Sequence, residues 1–165
     1  MVRIDENGLS LLLSDGIKLR QVEPSIFSVF PDNKVGNSYD NAFGTFYDLV
    51  ACNPIYNRLI WGYSTAKFSE FTESALNSST NGTILDIGCG SLAFTAKTYA
   101  KYDKRPVVLL DQSLKLLKMA KSRMVKVHGL VPENIIFVHA DAQQLPFRAE
   151  SFTTVISLNL LQVID

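Results

Sequence analysis

Cysteine is scarce in this sequence. Cys52 and Cys89 are the only two in 165 residues and they form no CxxC pair. That excludes a disulfide framework, argues against a zinc site, and suits a reducing compartment, with the cytosol as the default. Excess charge is missing as well. The 16 basic side chains balance 16 acidic ones, so no global field draws the chain to nucleic acid or to an anionic membrane. Long apolar runs are absent: no window approaches the roughly 20 residues of a membrane helix, so any membrane contact is expected to be peripheral. The stretch Met1 to Ser14 carries acids at Asp5 and Glu6, and its apolar run from Leu9 to Leu13 is short and interrupted. It does not read as a signal peptide. No internal repeat or low-complexity tract is present, and 47% hydrophobic residues are enough for a proper core in one domain with a small appendage.

What the sequence does have is the stretch Thr83-Ile84-Leu85-Asp86-Ile87-Gly88-Cys89-Gly90-Ser91, an apolar run that ends in an acid and breaks into two glycines one residue apart. Thr83 to Ile87 reads as a buried strand. The two glycines allow a turn without Cβ atoms, against which a ligand can lie close to the main chain, and Ser91 is placed to cap a following helix. The expected result is a nucleotide-sized pocket at the carboxyl end of a central strand.

Residues 1–38 mix short apolar runs with turn formers at Asp15-Gly16, Glu23-Pro24 and Pro31-Asp32-Asn33. Asp-Gly between apolar runs is a hairpin signal, so this part is read as a small β-containing appendage or a helical or irregular extension on the main domain, residues 39–165. Between Tyr39 and Tyr63 aromatics are dense. Phe43, Phe46, Tyr47 and Val50 recur at helical spacing, and a second helix is expected from Pro54 to Trp61. Ser64 to Leu76 predicts an amphipathic helix with Phe68, Phe71 and Leu76 inward. After the central strand come a helix over Ser91 to Tyr102, a strand over Val107 to Leu110 ending at Asp111, and a helix over Ser113 to Val127. That last helix carries Leu114, Leu117, Met124 and Val127 on one face and Gly129 as its stop. A strand over Ile135 to His139 leads to Asp141, and a fourth covers Thr153 to Leu158. Strands alternating with helices over short loops predict an α/β fold, a Rossmann-like doubly wound and mainly parallel sheet.

Three acids, Asp86, Asp111 and Asp141, end three consecutive strands, and parallel pairing brings such ends to one sheet edge. That edge suits a ligand with ribose hydroxyls and an ammonium group, since a carboxylate accepts stronger hydrogen bonds than a neutral group. The segments Ile84-Leu85-Asp86-Ile87-Gly88-Cys89-Gly90, Leu109-Leu110-Asp111, His139-Ala140-Asp141-Ala142 and Ser151-Phe152 through Ile156, in this order, resemble the successive nucleotide-site motifs of class I S-adenosylmethionine-dependent methyltransferases. Phe46-Tyr47-Asp48 through Tyr56-Asn57-Arg58 is similar, less specifically, to the start of the quinone-biosynthesis C-methyltransferase subgroup. The resemblance covers about Tyr39 to the C-terminus.

The resemblance implies S-adenosyl-L-methionine as cofactor. It implies that the Gly88-Cys89-Gly90 turn lines the methionine and adenosine parts and that Asp86 approaches the methionyl end. Asp111 is to hold the ribose hydroxyls, and Gln112 to pack beside the adenine. Asp141 is to accept from the exocyclic amine, with Ala142 on the ring, and Ser157 and Asn159 are to sit near the sulfonium. No metal and no catalytic base are identified. The acceptor is expected to be a small molecule rather than nucleic acid, but the sequence does not name it, and quinone precursors, other small molecules, lipid head groups and RNA all stay open. Two departures stand out: Leu92 occupies the place of the family's third glycine, and only four of the family's seven strands can be counted. Val155-Ile156-Ser157-Leu158 would then form a flat apolar edge, a liability, so the chain is expected to be a fragment of a longer protein or to cover that edge with a partner copy.

Plainer readings stand beside these. Turn aspartates such as Asp141 commonly cap their own turns, Cys89 reads as a small filler, His128 as a solvated helix end, and His139 as structural. The lysines between Lys115 and Lys126 read as a solvated face, and the aromatics of 39–63 as core or, if they close over the cofactor, as a lid testable at Tyr39, Tyr47 and Tyr63. Gly88-Cys89-Gly90-Ser91-Leu92-Ala93 also fits GxGxxA, with Asp111 about 20 residues on, which keeps a nicotinamide-dependent oxidoreductase as the enzyme rival. A cofactor-binding or assembly module without an acceptor site is the non-enzyme rival.

Overall fold

The computed structural model describes residues 2–31, 64–79, 81–158 and 160. The aromatic segment Tyr39 to Tyr63, with its two expected helices and the quinone-subgroup motif, lies outside the described residues.

The first element is a helix in the N-terminal extension, whose bounds the sequence did not give: α1 (Glu6–Leu12), whose N-cap Asp5 accepts from the Gly8 N–H and whose Leu9 is buried. Asp15-Gly16 is a turn but not the hairpin expected there. The hairpin forms later, between β1 (Arg20–Glu23) and β2 (Ile26–Ser28), through Pro24 and Ser25, with Ser25 at φ 67. All three residues of β2 are buried, so burial rather than turn propensity decides which segment pairs.

Next come α2 (Ala66–Leu76), β3 (Ile84–Ile87), α3 (Ala96–Ala100), β4 (Val107–Asp111), α4 (Leu114–His128), β5 (Ile135–His139) and β6 (Thr154–Ser157). The sheet runs β1-β2-β5-β4-β3-β6. Every neighbouring pair is parallel except β1 with β2. The expected Rossmann-like sheet is therefore present, and the N-terminal hairpin extends it beyond β5. Helices cover both faces. Leu76, Tyr99, Leu117, Ala120 and Met124 pack from α2, α3 and α4 onto Ile84, Leu109, Phe137 and Ile156. Leu9 of α1, with Phe147 and Phe152, closes Leu85, Val108, Leu110 and Val138 on the other side. Among the described residues no strand pairs with the outer side of β6, where Val155 is exposed.

Several expectations are corrected in detail. Helix α3 is only five residues long and begins at Ala96, so its N-cap is Thr95 and not Ser91; Ser91 is buried and its carbonyl accepts from Arg123 Nη1 at 2.8 Å. Phe71 of α2 faces outward, whereas Phe68 is half-buried and stacks on Phe94. In α4 the buried stripe is Leu117, Ala120 and Met124, and Val127 in the last turn is exposed. Ser113 does cap this helix by accepting from the Leu116 N–H, and Gly129 ends it at φ 89. The lysine face is not simply solvated either: Lys118 and Lys121 both pair with Glu23 of β1, at 3.1 and 3.0 Å.

Arg105, just before β4, is 2% exposed. Its guanidinium donates to Asn81 O and Leu76 O, each at 2.9 Å, to the hydroxyl of Tyr102, and to those of Thr153 and Thr154. One side chain thus ties the end of α2, the loop before β3 and the start of β6 together at the amino ends of the strands, leaving the carboxyl ends for the site.

Candidate functional site

The turn after β3 is bare backbone held in place. Gly88 and Gly90 lie at φ 73 and 57, a region that L side chains enter at a cost. The N–H groups of Gly88 and Cys89 both donate to Leu110 O of the neighbouring strand, at 2.8 and 3.0 Å. A Cβ on Gly88 would sit 2.9 Å from Leu160 Cδ1, whereas one on Gly90 would meet nothing within 4 Å among the described residues. Open space over Gly90 is where a ligand can reach the main chain. Leu92, at the place of the third glycine, also has positive φ, 53, and is 2% exposed within the core. The turn is therefore kept with a side chain there, because burial of the leucine offsets the backbone cost.

Register brings the acids to one edge. Asp86 lies level with Leu109, and Asp111 with His139. Asp86 is 3% exposed; its Oδ2 accepts from the Tyr99 hydroxyl at 2.7 Å, and its Oδ1 has no hydrogen-bond partner among the described residues. Burial, with a smaller contribution from the Asp111 charge, pushes this carboxyl up to about 7 against the opposing pull of Tyr99. The Tyr99 phenol is itself pushed up by burial and by Asp86, so it remains a donor. Burial, followed by the two carboxylates, also raises the Cys89 thiol. It stays protonated and fills the turn.

Asp111 grips both sides of the site. Its Oδ2 accepts from the Gly90 N–H and its Oδ1 from the Ser113 N–H, each at 2.8 Å. Gln112 follows with an exposed side chain, and its carbonyl accepts from His139 Nε2 at 3.1 Å. Asp141 Oδ1 accepts from the Gln143 N–H at 2.9 Å, an Asx-type turn, with Ala142 half-buried beside it. Ser157 ends β6 level with Ile87, exposed on the same edge. Asn159 lies outside the described residues. Asp86, Gly88, Cys89, Gly90, Asp111 and Gln112 thus form one connected group. Asp141, Ala142 and Ser157 lie at neighbouring strand ends.

Sequence reasoning missed Tyr99, which carried only a helical signal, and the anchoring role of Arg123. Among the described residues no group of three or more His, Cys, Asp or Glu side chains could hold a metal ion, and no helix is long and apolar enough to cross a membrane.

Residues 84–165 match the sequence model of a methyltransferase domain. The ribosomal RNA small subunit methyltransferase C of Buchnera aphidicola subsp. Schizaphis graminum is 26% identical over a 118-residue alignment that covers 69% of this chain and 35% of that protein. A crystal structure from Methanococcus maripaludis, provisionally described as an S-adenosyl-L-methionine-dependent methyltransferase, superposes with TM-score 0.58 at 18% identity. It covers 82% of this chain and 57% of that one. The chain therefore spans about a third of the curated relative and somewhat over half of the structural neighbour. None of these matches singles out the quinone-biosynthesis subgroup. Residues 84–165, just under half of the chain, thus match the methyltransferase-domain family, on a fold like that of the class I S-adenosylmethionine-dependent enzymes.

Proposed function

We propose that this protein is an S-adenosyl-L-methionine-dependent methyltransferase acting on a small-molecule acceptor. The observation that carries the reading is the bond from Gly90 N–H to Asp111 Oδ2, which sets a carboxylate beside open, bare backbone at the joint between two strand ends. A ribose needs that pair of features. The residues present fit the cofactor. Both Asp111 oxygens are carboxylate acceptors of the kind the two ribose hydroxyls need, and the buried Oδ1 of Asp86, without a partner among the described residues, suits the cofactor's ammonium group. Gln112 and Ala142 flank the adenine in this reading, Asp141 accepts from its amine, and Ser157 and Asn159 lie toward the sulfonium. The bound cofactor supplies an already activated methyl group. The chain's own task is then alignment and exclusion of water.

The dinucleotide rival is disfavoured by α3. A pyrophosphate site needs a helix opening directly from the glycine turn, but residues 91–95 form turns and the five-residue helix starts at Ala96 without a side-chain cap. A small acceptor is favoured by the zero net charge and by Lys118, Lys121 and Arg123 being engaged with Glu23 and the Ser91 carbonyl.

Calorimetric titration against S-adenosylhomocysteine and NAD tests the reading. Binding of the first is expected, weakened at least about tenfold in Asp111→Ala, which removes two ribose acceptors. Binding of NAD with none of S-adenosylhomocysteine overturns it.

A further inference from the structure

We propose that His139 is a positioning residue for the adenosine half of the cofactor, through which the N-terminal hairpin sets the Asp111 carboxylate. The inference rests on the cofactor reading above and adds to it a residue and an element outside the four matched motifs' assigned contacts.

One continuous chain of hydrogen bonds runs from the hairpin to the site. His139 ends β5 directly opposite Asp111. Its Nε2 lies 3.1 Å from Gln112 O, and a carbonyl can only accept, so Nε2 carries the proton. In the neutral ring Nδ1 is then left to accept from the Ser28 hydroxyl at 3.0 Å. Ser28 is fully buried, and its Oγ accepts in turn from the Phe30 N–H at 3.1 Å. The Phe30 ring meets the imidazole edge-on at 4.7 Å, and Val29 N–H donates to His139 O at 3.2 Å. The imidazole is thus fixed in plane, tautomer and tilt by β2 and the residues just after it.

The other end of the chain reaches the ligand side. The carbonyl held by His139 belongs to the Gln112–Ser113 peptide, and the N–H of that same peptide donates to Asp111 Oδ1 at 2.8 Å. Peptide planarity makes the two ends rotate together. Holding the carbonyl therefore aims the N–H, and the N–H aims the carboxylate whose other oxygen accepts from Gly90. Linked hydrogen bonds of this kind also polarise one another in a partly buried setting. The N-terminal hairpin, which family resemblance leaves without a role, so becomes the outer support of the ribose acceptor.

The test separates positioning from packing by two amide variants in the full chain, with S-adenosylhomocysteine as the titrated probe. His139→Gln can place an amide N–H near Nε2 and keep the bond to Gln112 O. His139→Asn reaches only the Nδ1 side. We expect His139→Asn to weaken binding about 3- to 10-fold, the effect of one neutral hydrogen bond. His139→Gln should stay within about 2-fold of wild type, with similar melting temperatures for both. The asparagine variant binding as tightly as wild type, or the glutamine variant as weakly as the asparagine one, overturns the proposal. Should the asparagine variant not fold, Ser28→Ala decides: a loss of about 2- to 5-fold supports the chain of bonds, and unchanged affinity overturns it. A wild-type protein that does not bind the probe sinks the cofactor reading and this proposal together, whereas normal wild-type binding with an indifferent His139→Asn sinks this proposal alone.

Discussion

Replacing Asp86 by asparagine should stabilise the protein at pH 8 and do little at pH 4. Asp86 is 3% exposed, one oxygen is held by Tyr99 and the other has no partner among the described residues, so its carboxyl is raised from an ordinary 3.8 to about 7, chiefly by burial. An acid whose pKa is raised on folding keeps its proton in the folded state over a range where the unfolded chain has lost it. Stability is then fully present below about pH 4, falls as pH climbs from about 4 to about 7, and is level above that. The full displacement corresponds to about 4 kcal/mol, an upper bound because the site can relax or admit water. Between pH 5 and pH 8 the part lost is about 2–3 kcal/mol. The amide of the Asp86→Asn variant keeps an acceptor for Tyr99 but cannot ionise, and groups that titrate elsewhere cancel between the two proteins. Urea unfolding of both at pH 5 and pH 8 should therefore show the stability difference moving by about 2–3 kcal/mol in favour of the variant. A difference that stays constant within about 0.5 kcal/mol between those pH values refutes the reasoning, whatever its absolute size.

Arg105→Met should cost about 2–4 kcal/mol in urea unfolding, because it removes the donors that Arg105 gives to the buried Tyr102 hydroxyl and Leu76 carbonyl and to the half-buried Thr154 hydroxyl; a loss below about 1 kcal/mol would show the guanidinium to be replaceable by packing alone. Leu92→Gly sets two effects against each other. Relief of the left-handed backbone is worth about 1 kcal/mol, while emptying a 2%-exposed leucine site costs about 3–5 kcal/mol. The expected net is a loss of about 2–4 kcal/mol by thermal or urea unfolding, and a neutral or stabilising outcome would mean that the turn, not the core, dominates at that position.

The legible parts of the fold were those in which local pattern and tertiary burial agree. Ile135–His139 is apolar along almost its whole length because both faces of a central parallel strand are covered, so its bounds follow from composition. Helix α4 has a capping serine, a stop glycine and fifteen residues of periodic burial. The turn of Gly88 and Gly90 was legible because positive φ is written into glycine itself. Helix α3 was overextended for the opposite reason: Leu92, Ala96, Tyr99 and Ala100 are all buried, a helical-looking stripe, yet the first of them lies in a turn that only tertiary packing stabilises. In the site, the acids could be found because each lies at, or within two residues of, the carboxyl end of a strand. Tyr99 and His139 could not, since their partners Asp86 and Ser28 are set by which elements face each other and not by spacing along the chain.

The N-terminal hairpin shows why long-range pairing escapes a local reading. A three-residue strand buried at every position, as β2 is, carries no alternation to detect, and its parallel partner β5 lies more than a hundred residues away in sequence. Its register is nevertheless well determined. Ile26 pairs with Phe137, Phe27 with Val138 and Ser28 with His139, and a slip by one residue would exchange the two faces. Ile26 would leave the cluster it shares with Phe137 for the one that holds Phe27, and Ser28 would lose the histidine. Among the described residues the outer strand β1 then ends the sheet, with polar residues: Arg20 and Gln21 are exposed, Glu23 pairs with Lys118 and Lys121, and the register shifts between Gln21 and Glu23. Short length, charge and an irregularity are the features that keep an edge from recruiting further strands. An appendage with those features both closes one side of the sheet and, through Ser28, holds the residue that aims the Gln112–Ser113 peptide, so the fold's edge and the site's geometry are fixed by the same three-residue strand.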